Sequence, residues 1–128
     1  MQDRPTAIEL LDAIERFLRT QSGEQSDRWL RFQLLVAANS LGIVRRELEM
    51  EEPFEREEWA LLDRLLGEEP LPPTFAGLTV ALRARNERLC AAIRAGAFDD
   101  PDREAALIAY FVTEVTNRVR ITAPAELA

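Results

Sequence analysis

Apolar residues recur at helical spacing along most of this 128-residue chain. The longest regular run follows the 4-3-4-3-4 spacing of a helical bundle seam and consists of Leu30, Leu34, Ala37, Leu41, Val44 and Leu48. Phe32, Val36 and Ile43 form a second stripe beside this seam, which predicts a central helix that is covered on more than one side. No stretch alternates apolar and polar residues with a period of two, so the chain is expected to be all-α.

Capping residues predict where the first two helices begin. Thr6 as N-cap and Glu9 three residues later form a capping box, and this first helix is expected to end before Gly23. The second helix is expected to begin near Ser26 or Asp27 and to run to Met50, a length of about 37 Å at 1.5 Å per residue.

Proline and glycine residues predict the helix boundaries in the second half of the chain. Pro53 suits the first turn of a third helix that ends at Gly67, and a fourth helix is expected to end at Gly96. Asp100 and Pro101 then form the start of a fifth helix. Its inward residues are expected to be Ile108, Phe111, Val112, Val115 and Val119, and Pro124 should end it. The prediction is a four- to five-helix, mostly antiparallel bundle that forms one domain over residues 1–128.

The residue types that the chain lacks limit its chemistry. It contains no histidine, which excludes the usual general base and the commonest metal ligand. All sixteen positive charges are arginines, so lysine Schiff-base chemistry is also excluded. Cys90 is the single cysteine, so no internal disulfide can form, and we expect it to be a small buried hydrophobe. These absences favour a protein without catalytic activity.

Localisation and partners can be narrowed in the same way. The apolar runs are far shorter than the ~20 residues needed to span a bilayer, and the segment "MQDRPT" lacks the features of a signal peptide. We therefore expect a soluble, cytoplasmic protein that binds no membrane. The net charge of −7 argues against a nucleic-acid partner, because phosphate binding needs a concentrated basic face.

The acidity is concentrated in one segment. Ten acidic residues lie between Glu47 and Glu69, against only two arginines. Glu51, Glu55 and Glu58 have the spacing of carboxylate metal ligands on one helix. Helical pyrophosphatases pair such a motif with a later E-x-x-D on a second helix, and no E-x-x-D follows it here. No histidine is present to complete a di-iron site. We therefore expect a solvated acidic face, with no metal and no cofactor.

Four arginines give the fourth helix a basic outer edge: Arg83, Arg85, Arg88 and Arg94. Their expected partner is the acidic third helix of the same chain or of a second copy. Alternatively, these arginines bind a phosphate group.

Polar residues inside the predicted helices admit two interpretations. Asn39, Asn86 and Asn117 lie on or beside apolar seams, and Arg46 and Glu114 lie near the same faces. They are expected to form a buried network that fixes the register of the helices. Alternatively, Asn39, Arg46, Asn86 and Glu114 line a ligand-binding pocket. Gly42 is expected to allow close packing of another helix.

Four segments carry a resemblance to a known family: "DRPTAIELLDAIERFL", "VAANSLGIVRREL", "LCAAIRAGAFDDP" and "VTNRVRITAPAEL". Together they resemble a small uncharacterised bacterial family over about residues 3–127. Its members are found beside, or fused to, aminoglycoside-phosphotransferase-like kinases, often near acyl-CoA dehydrogenases. The resemblance implies a helical fold and carries no catalytic residue.

Individual positions follow the family's pattern. The matching positions are Arg4, Pro5, Leu10, Ala38, Asn39, Leu41, Arg46, Glu47, Leu89, Ile93 and Gly96. Near the end of the chain Arg118 and Pro124 also match, whereas Ala123 replaces the asparagine expected there.

Two functional hypotheses result. The first is a non-catalytic accessory or protein-interaction module, whose partner is a kinase-like protein, an acyl-CoA dehydrogenase or a second copy. A homodimer is expected because two helices have more apolar surface than one small bundle can cover, and because the acidic and basic segments are complementary. The second hypothesis is a pocket inside the bundle that binds, or acts on, a carboxylate or acyl-type ligand.

Overall fold

The computed structural model describes residues 3–128 and contains four α-helices. They are α1 (Ala7–Glu24), α2 (Arg28–Leu66), α3 (Phe75–Arg94) and α4 (Pro101–Thr122), followed by a short 3-10 helix (Pro124–Leu127). These described residues contain no strand, which confirms the all-α prediction.

The chain divides into two compact units. The N-terminal unit comprises residues 3–51 and Ile121–Ala123, and the C-terminal unit comprises Glu52–Arg120 and Pro124–Ala128. The single domain expected over residues 1–128 stays a prediction. No helix in residues 3–128 is both long enough and apolar enough to span a membrane.

The predicted helix starts are confirmed by their hydrogen bonds. The Glu9 amide donates to the Thr6 hydroxyl at 3.2 Å, and the Thr6 amide donates to Glu9 Oε2 at 2.8 Å, which completes the capping box. Asp27 accepts from the Leu30 amide at the start of α2. Asp100 accepts from the Arg103 amide at the start of α4. Side-chain oxygens therefore satisfy amides that have no partner within these helices.

The predicted break between Met50 and Pro53 is wrong, because α2 continues through Pro53 as one helix of 39 residues. Proline removes one backbone hydrogen bond from the helix, but strong helical sequence on both sides and the exposed position of Pro53 allow the helix to continue. Arg56 donates to Glu52 across this point at 2.9 Å. The predicted boundary nevertheless lies where the two compact units divide, between Glu51 and Glu52.

The apolar core lies in the C-terminal unit. It consists of Trp59, Leu62, Leu65, Leu78, Leu82, Leu89, Phe98 and Tyr110. Gly67 and Gly96, the predicted helix ends, both have positive φ angles, which an L-residue with a side chain rarely adopts. They end α2 and α3 and let the chain turn.

Helix α4 presents a different face inward from the one predicted. Its buried residues are Tyr110 and Asn117, whereas the predicted inward residues Ile108, Phe111, Val112 and Val115 are exposed. The inward face follows the helical spacing 107, 110, 114, 117 and is mostly polar. Polar side chains occupy it because they find hydrogen-bond partners on α2.

The N-terminal unit also has a polar interior. Glu15 and Ser22 are its buried residues on α1, and the Arg19 and Arg45 guanidinium groups contact the Glu15 carboxylate at 3.1 and 3.4 Å. On α2 only Ala38 is a buried hydrophobe within this unit. The prediction of a central α2 covered on several sides is wrong within this chain, because Phe32 and Val36 of the second stripe are exposed.

Candidate functional site

Three side chains from three helices form a hydrogen-bonded triangle in the C-terminal unit. Asn86 Nδ2 on α3 donates to Glu58 Oε1 on α2 at 2.7 Å. The Tyr110 hydroxyl on α4 lies 2.9 Å from Glu58 Oε1 and 2.8 Å from Asn86 Oδ1. Glu58 is only 8% exposed, so its carboxylate depends on these donors in place of water. The triangle joins the three helices through polar contacts.

Glu114 lies one turn after Tyr110 and lacks such donors. Its Oε1 atom is buried and has no hydrogen-bond partner in residues 3–128. Burial first, and then the negative charges of Glu58 and Glu57, raise the pKa of Glu114 to about 7, against the attraction of Arg118. A carboxyl group with this pKa exchanges a proton near neutral pH.

These residues line a cleft between α2, α3 and α4 in the C-terminal unit. Its larger part has a volume of about 580 Å³ and is lined by Glu55, Glu58, Thr79, Leu82, Arg83, Asn86, Glu87, Cys90, Arg94 and Arg118. A smaller part of about 260 Å³ shares three of these residues and adds Tyr110, Phe111, Glu114 and Val115. We call the two parts together the Glu58 cleft. It combines carboxylates, arginines and an apolar wall, so it can hold a small polar molecule.

The four arginines of α3 divide into two pairs. Arg85 is 1% exposed, so its predicted place on an outer edge is wrong. It contacts Asp63 Oδ1 and Glu69 Oε2, each at 2.8 Å, and Arg88 contacts Glu69 at 2.7 Å. The expected pairing with acidic residues of the same chain is thus confirmed for Arg85, whose partner Asp63 belongs to the predicted third helix.

Arg83 and Arg94 form the second pair and line the Glu58 cleft. Neither makes a hydrogen bond or an ion pair within the described part of the chain. Both are exposed, so their guanidinium groups can reach a ligand in the cleft. Cys90 lies between them and is exposed, which corrects the expectation of a buried thiol.

The acidic stretch of α2 is engaged with its neighbours rather than simply solvated. Glu55 accepts from the Thr79 hydroxyl at 2.8 Å, and Glu57 accepts from Asn117 Nδ2 at 3.1 Å. No group of three or more acidic, cysteine or histidine side chains in residues 3–128 is placed to hold a metal ion. The expected lack of a metal and a cofactor stays a prediction.

Two of the four predicted ligand residues lie in the N-terminal unit. Asn39 is exposed, against the expectation of a buried amide, and its Oδ1 accepts from Arg19 at 3.0 Å. Arg46 Nε donates to the Ile121 carbonyl at 2.6 Å, in the last turn of α4. An arginine in this position satisfies a carbonyl that has no partner within the helix. Both side chains therefore have structural partners.

The other two predicted ligand residues, Asn86 and Glu114, line the same part of the Glu58 cleft. Sequence reasoning placed them on suitable faces but missed Tyr110 and considered Glu58 only as a metal ligand, although these two side chains complete the site. A helical projection of α4 offers a signal for Tyr110, because it shares a face with Glu114 and Asn117. The four-residue site as a whole stays a prediction.

Comparison with protein families identifies a family for this chain. The model of a domain of unknown function, DUF6285, matches residues 24–125. The chain belongs to this family. A search of curated proteins and of solved structures gives no match to the chain.

The DUF6285 match covers the last three helices and leaves out nearly all of the first. It includes α2, α3 and α4, and with them every residue of the Glu58 cleft. It begins at residue 24, the last residue of α1, so the first helix lies almost wholly outside it. The family description assigns no activity, and no catalytic role can be carried over from it.

Proposed function

We propose that the protein is a helical interaction module whose N-terminal unit associates with a second copy of the same chain. The observation that carries this proposal is a large exposed apolar surface on α1 and on the first half of α2. It consists of Leu10, Ile14, Phe17, Trp29, Leu30, Phe32, Leu35, Val36, Val44 and Leu48, all between 39% and 66% exposed. We call these residues the hairpin face.

The spacing of these residues supports an apolar stripe on α1 and another on α2. Leu10, Ile14 and Phe17 follow the i, i+4, i+7 pattern on α1. On α2, Trp29 and Phe32 stack with their ring centroids 5.9 Å apart, and Val36 continues the same face one turn later. Scattered exposed hydrophobes are normal on a protein surface, whereas aligned ones mark an interface.

The size of the hairpin face is sufficient for a dimer. Ten large side chains that are about half exposed offer several hundred Å² of apolar area per copy, and a stable interface buries about 800 Å² per partner. Two copies of the two-helix unit would supply four helices, the number in a simple bundle.

Charge favours this unit over the rest of the chain as the place where two copies meet. Residues 1–51 carry seven arginines and nine acidic residues, whereas residues 52–128 carry nine arginines and fourteen acidic residues. Two copies therefore repel one another less through the N-terminal unit. Arg85 and Arg88 already pair within the chain, so the previously expected complementarity between acidic and basic segments contributes little.

A different occupant of the hairpin face is the main alternative. The family resemblance suggests an aminoglycoside-phosphotransferase-like kinase or an acyl-CoA dehydrogenase as a partner. Such a partner would bind the same apolar residues, and the chain alone would then be a monomer.

Light scattering after size-exclusion chromatography tests the proposal. We expect a mass of twice 14.6 kDa at micromolar concentration, and Val36→Glu should convert it to the monomer mass. Val80→Glu is the matched control, because Val80 on α3 is 72% exposed and lies outside the hairpin face. It should leave the mass unchanged.

Two results would overturn the proposal. A concentration-independent mass of 14.6 kDa for the unaltered chain would show that no second copy binds. Equal dissociation by Val36→Glu and Val80→Glu would show that the interface lies elsewhere. Binding of a purified kinase-like protein or acyl-CoA dehydrogenase to that monomer would assign the hairpin face to the alternative partner.

A further inference from the structure

The Glu58 cleft contains an unsatisfied carboxylate beside unpaired arginines. Glu58 Oε1 accepts hydrogen bonds from Asn86 and Tyr110. The buried Oε1 atom of Glu114, in contrast, has no donor in residues 3–128. Leaving a buried oxygen without a donor is costly, and a ligand that brings N–H groups removes this cost. The smaller part of the cleft, which Glu58 and Glu114 line, therefore favours a ligand with N–H donors. Because both residues are carboxylates, a positively charged donor group is favoured.

The larger part of the cleft also carries positive charges, those of Arg83, Arg94 and Arg118, beside the carboxylates of Glu55, Glu58 and Glu87. Arg83 is exposed, has no partner among the described residues and lies one helical turn before Asn86 on α3. Residues three apart on a helix are neighbours, about 5–6 Å between their Cβ atoms. Because Asn86 also contacts Glu58, the carboxylates that would bind a cation and the Arg83 guanidinium that would bind an anion line the same cleft.

We propose that the Glu58 cleft binds a small zwitterion of the amino-acid type, with its ammonium group at Glu58 and Glu114 and its carboxylate at Arg83. The apolar wall of Phe111 and Val115 contacts the carbon chain between the two charged groups. The inference extends the ligand-binding hypothesis raised by Asn86 and Glu114 and does not depend on self-association. Arg94 lies eleven residues after Arg83, too far along α3 to share the same small carboxylate.

Titration calorimetry with defined probes tests the inference. The probes are glycine, β-alanine and 4-aminobutyrate, which separate the two charges by increasing lengths, with ethylamine and propionate as single-charge controls. We expect at least one zwitterion to bind in the millimolar range or tighter, and both single-charge probes to bind about tenfold more weakly or not at all. Failure of all three zwitterions to bind would overturn the inference.

Matched variants separate this site from general effects on the fold. Glu114→Gln and Arg83→Gln should each weaken binding at least about tenfold. Glu104→Gln, in the exposed first turn of α4, and Arg64→Gln, an exposed arginine of α2 outside the cleft, should bind as the unaltered chain does. Loss of binding in Arg94→Gln equal to that in Arg83→Gln would overturn the assignment of the carboxylate position. Circular dichroism confirms that each variant is folded.

Proton release gives an independent readout. The groups that act on Glu114 are Glu57 and Glu58 from α2, and Tyr110 and Arg118 from α4, while α3 presents the neutral amide of Asn86. An ammonium group lowers the pKa of Glu114 from about 7, so about half a proton per ligand should leave at pH 7. Calorimetry in two buffers with different ionisation enthalpies measures this release. Zwitterion binding with the same affinity and the same proton release in Glu114→Gln would place the ammonium group away from Glu114 and overturn the inference.

Discussion

The Glu15 carboxylate on α1 lies directly against Gly42 on α2, and a Cβ atom at Gly42 would stand 3.0 Å from Glu15 Oε1. The same Cβ would be 3.1 Å from a terminal nitrogen of Arg46. A glycine inside a helix costs about 1 kcal/mol relative to alanine. Here the absence of a side chain leaves room for a buried carboxylate that is paired with Arg19 and Arg45.

Replacement of Gly42 by leucine should therefore destabilise the protein. Overpacking costs about 1–3 kcal/mol and exceeds the gain of about 1 kcal/mol in helix propensity, so a net loss of about 1–2 kcal/mol is expected. Chemical denaturation followed by circular dichroism measures it. Gly23→Leu is the control, because a Cβ there meets nothing within 4 Å, and it should leave stability unchanged or raise it. A Gly42→Leu protein as stable as the original would show that Glu15 moves aside freely.

Tyr110, the only tyrosine of the chain, should resist ionisation at alkaline pH. Burial first, and then the adjacent Glu58 carboxylate, raise its pKa well above the ordinary value of 10.0. The folded protein holds this proton more tightly than the unfolded chain does. Its contribution to stability is thus complete below pH 10 and is lost as the pH rises further.

Ultraviolet difference absorbance of the phenolate, compared with circular dichroism over the same alkaline titration, checks this expectation. The phenolate should form only when the helices unfold. Tyr110→Phe should remove the part of the alkaline loss of stability that this group causes. Ionisation of Tyr110 in a fully helical protein would contradict the burial and the hydrogen bonds described for it.

Arg85 should be the most sensitive arginine of the chain. It is 1% exposed, lies over the Trp59 ring at 4.3 Å, and donates to the Gly67 carbonyl at 2.8 Å as well as to Asp63. Arg85→Met keeps much of the volume but leaves the Gly67 carbonyl without this donor and Asp63 Oδ1 with only the Glu69 amide, at 3.2 Å. A loss of about 2–4 kcal/mol is expected, somewhat less than for a fully buried pair because Asp63 and Glu69 are partly exposed.

Urea denaturation of Arg85→Met checks this value against Arg64→Met, an exposed position on α2. The control should change stability by less than about 0.5 kcal/mol. Equal stability of the two variants would mean that water replaces the guanidinium group at Asp63 and Gly67 without cost.

The ends of the helices were predictable because local chemistry decides them. Thr6 with Glu9, and Asp100 with Pro101, act within one turn of the backbone, and Gly67 and Gly96 supply a conformation that other residues avoid. The helix break predicted at Pro53 was wrong because the local cost of proline is offset by helical sequence on both sides.

The face of α4 that packs inward could not be predicted in the same way. Its apolar stripe is regular, and apolar periodicity predicts that Phe111 and Val115 face inward. Tyr110 and Asn117 face inward instead because Glu58 and Glu57, more than 50 positions away in the sequence, accept their hydrogen bonds. Such long-range hydrogen bonds produce no periodic pattern that can be recognised in a single sequence. The same reason explains why Asn86 and Glu114 were proposed as site residues while Glu58 and Tyr110 were not.

Glu114 should make the protein less stable as the pH rises through neutrality. Its pKa is raised from 4.5 to about 7 in the folded chain, so the folded state binds more protons than the unfolded state between these values. The favourable contribution is complete below pH 4.5 and is lost as the pH rises through 7. Because Glu114 is partly exposed, the expected loss is about 1–2 kcal/mol, smaller than the full shift implies.

Glu114→Gln isolates this contribution from that of other carboxylates. Glu15 acts in the opposite direction, because Arg19 and Arg45 outweigh its burial and lower its pKa. Denaturation of both proteins at pH 5 and at pH 8 should show Glu114→Gln gaining about 1–2 kcal/mol relative to the original chain at the higher pH. Glu104→Gln should gain nothing, since Glu104 is exposed in the first turn of α4. A Glu114→Gln protein whose relative stability is the same at both pH values would show that the carboxyl group is already ionised at pH 5, and the donor that satisfies its buried oxygen would then have to be water.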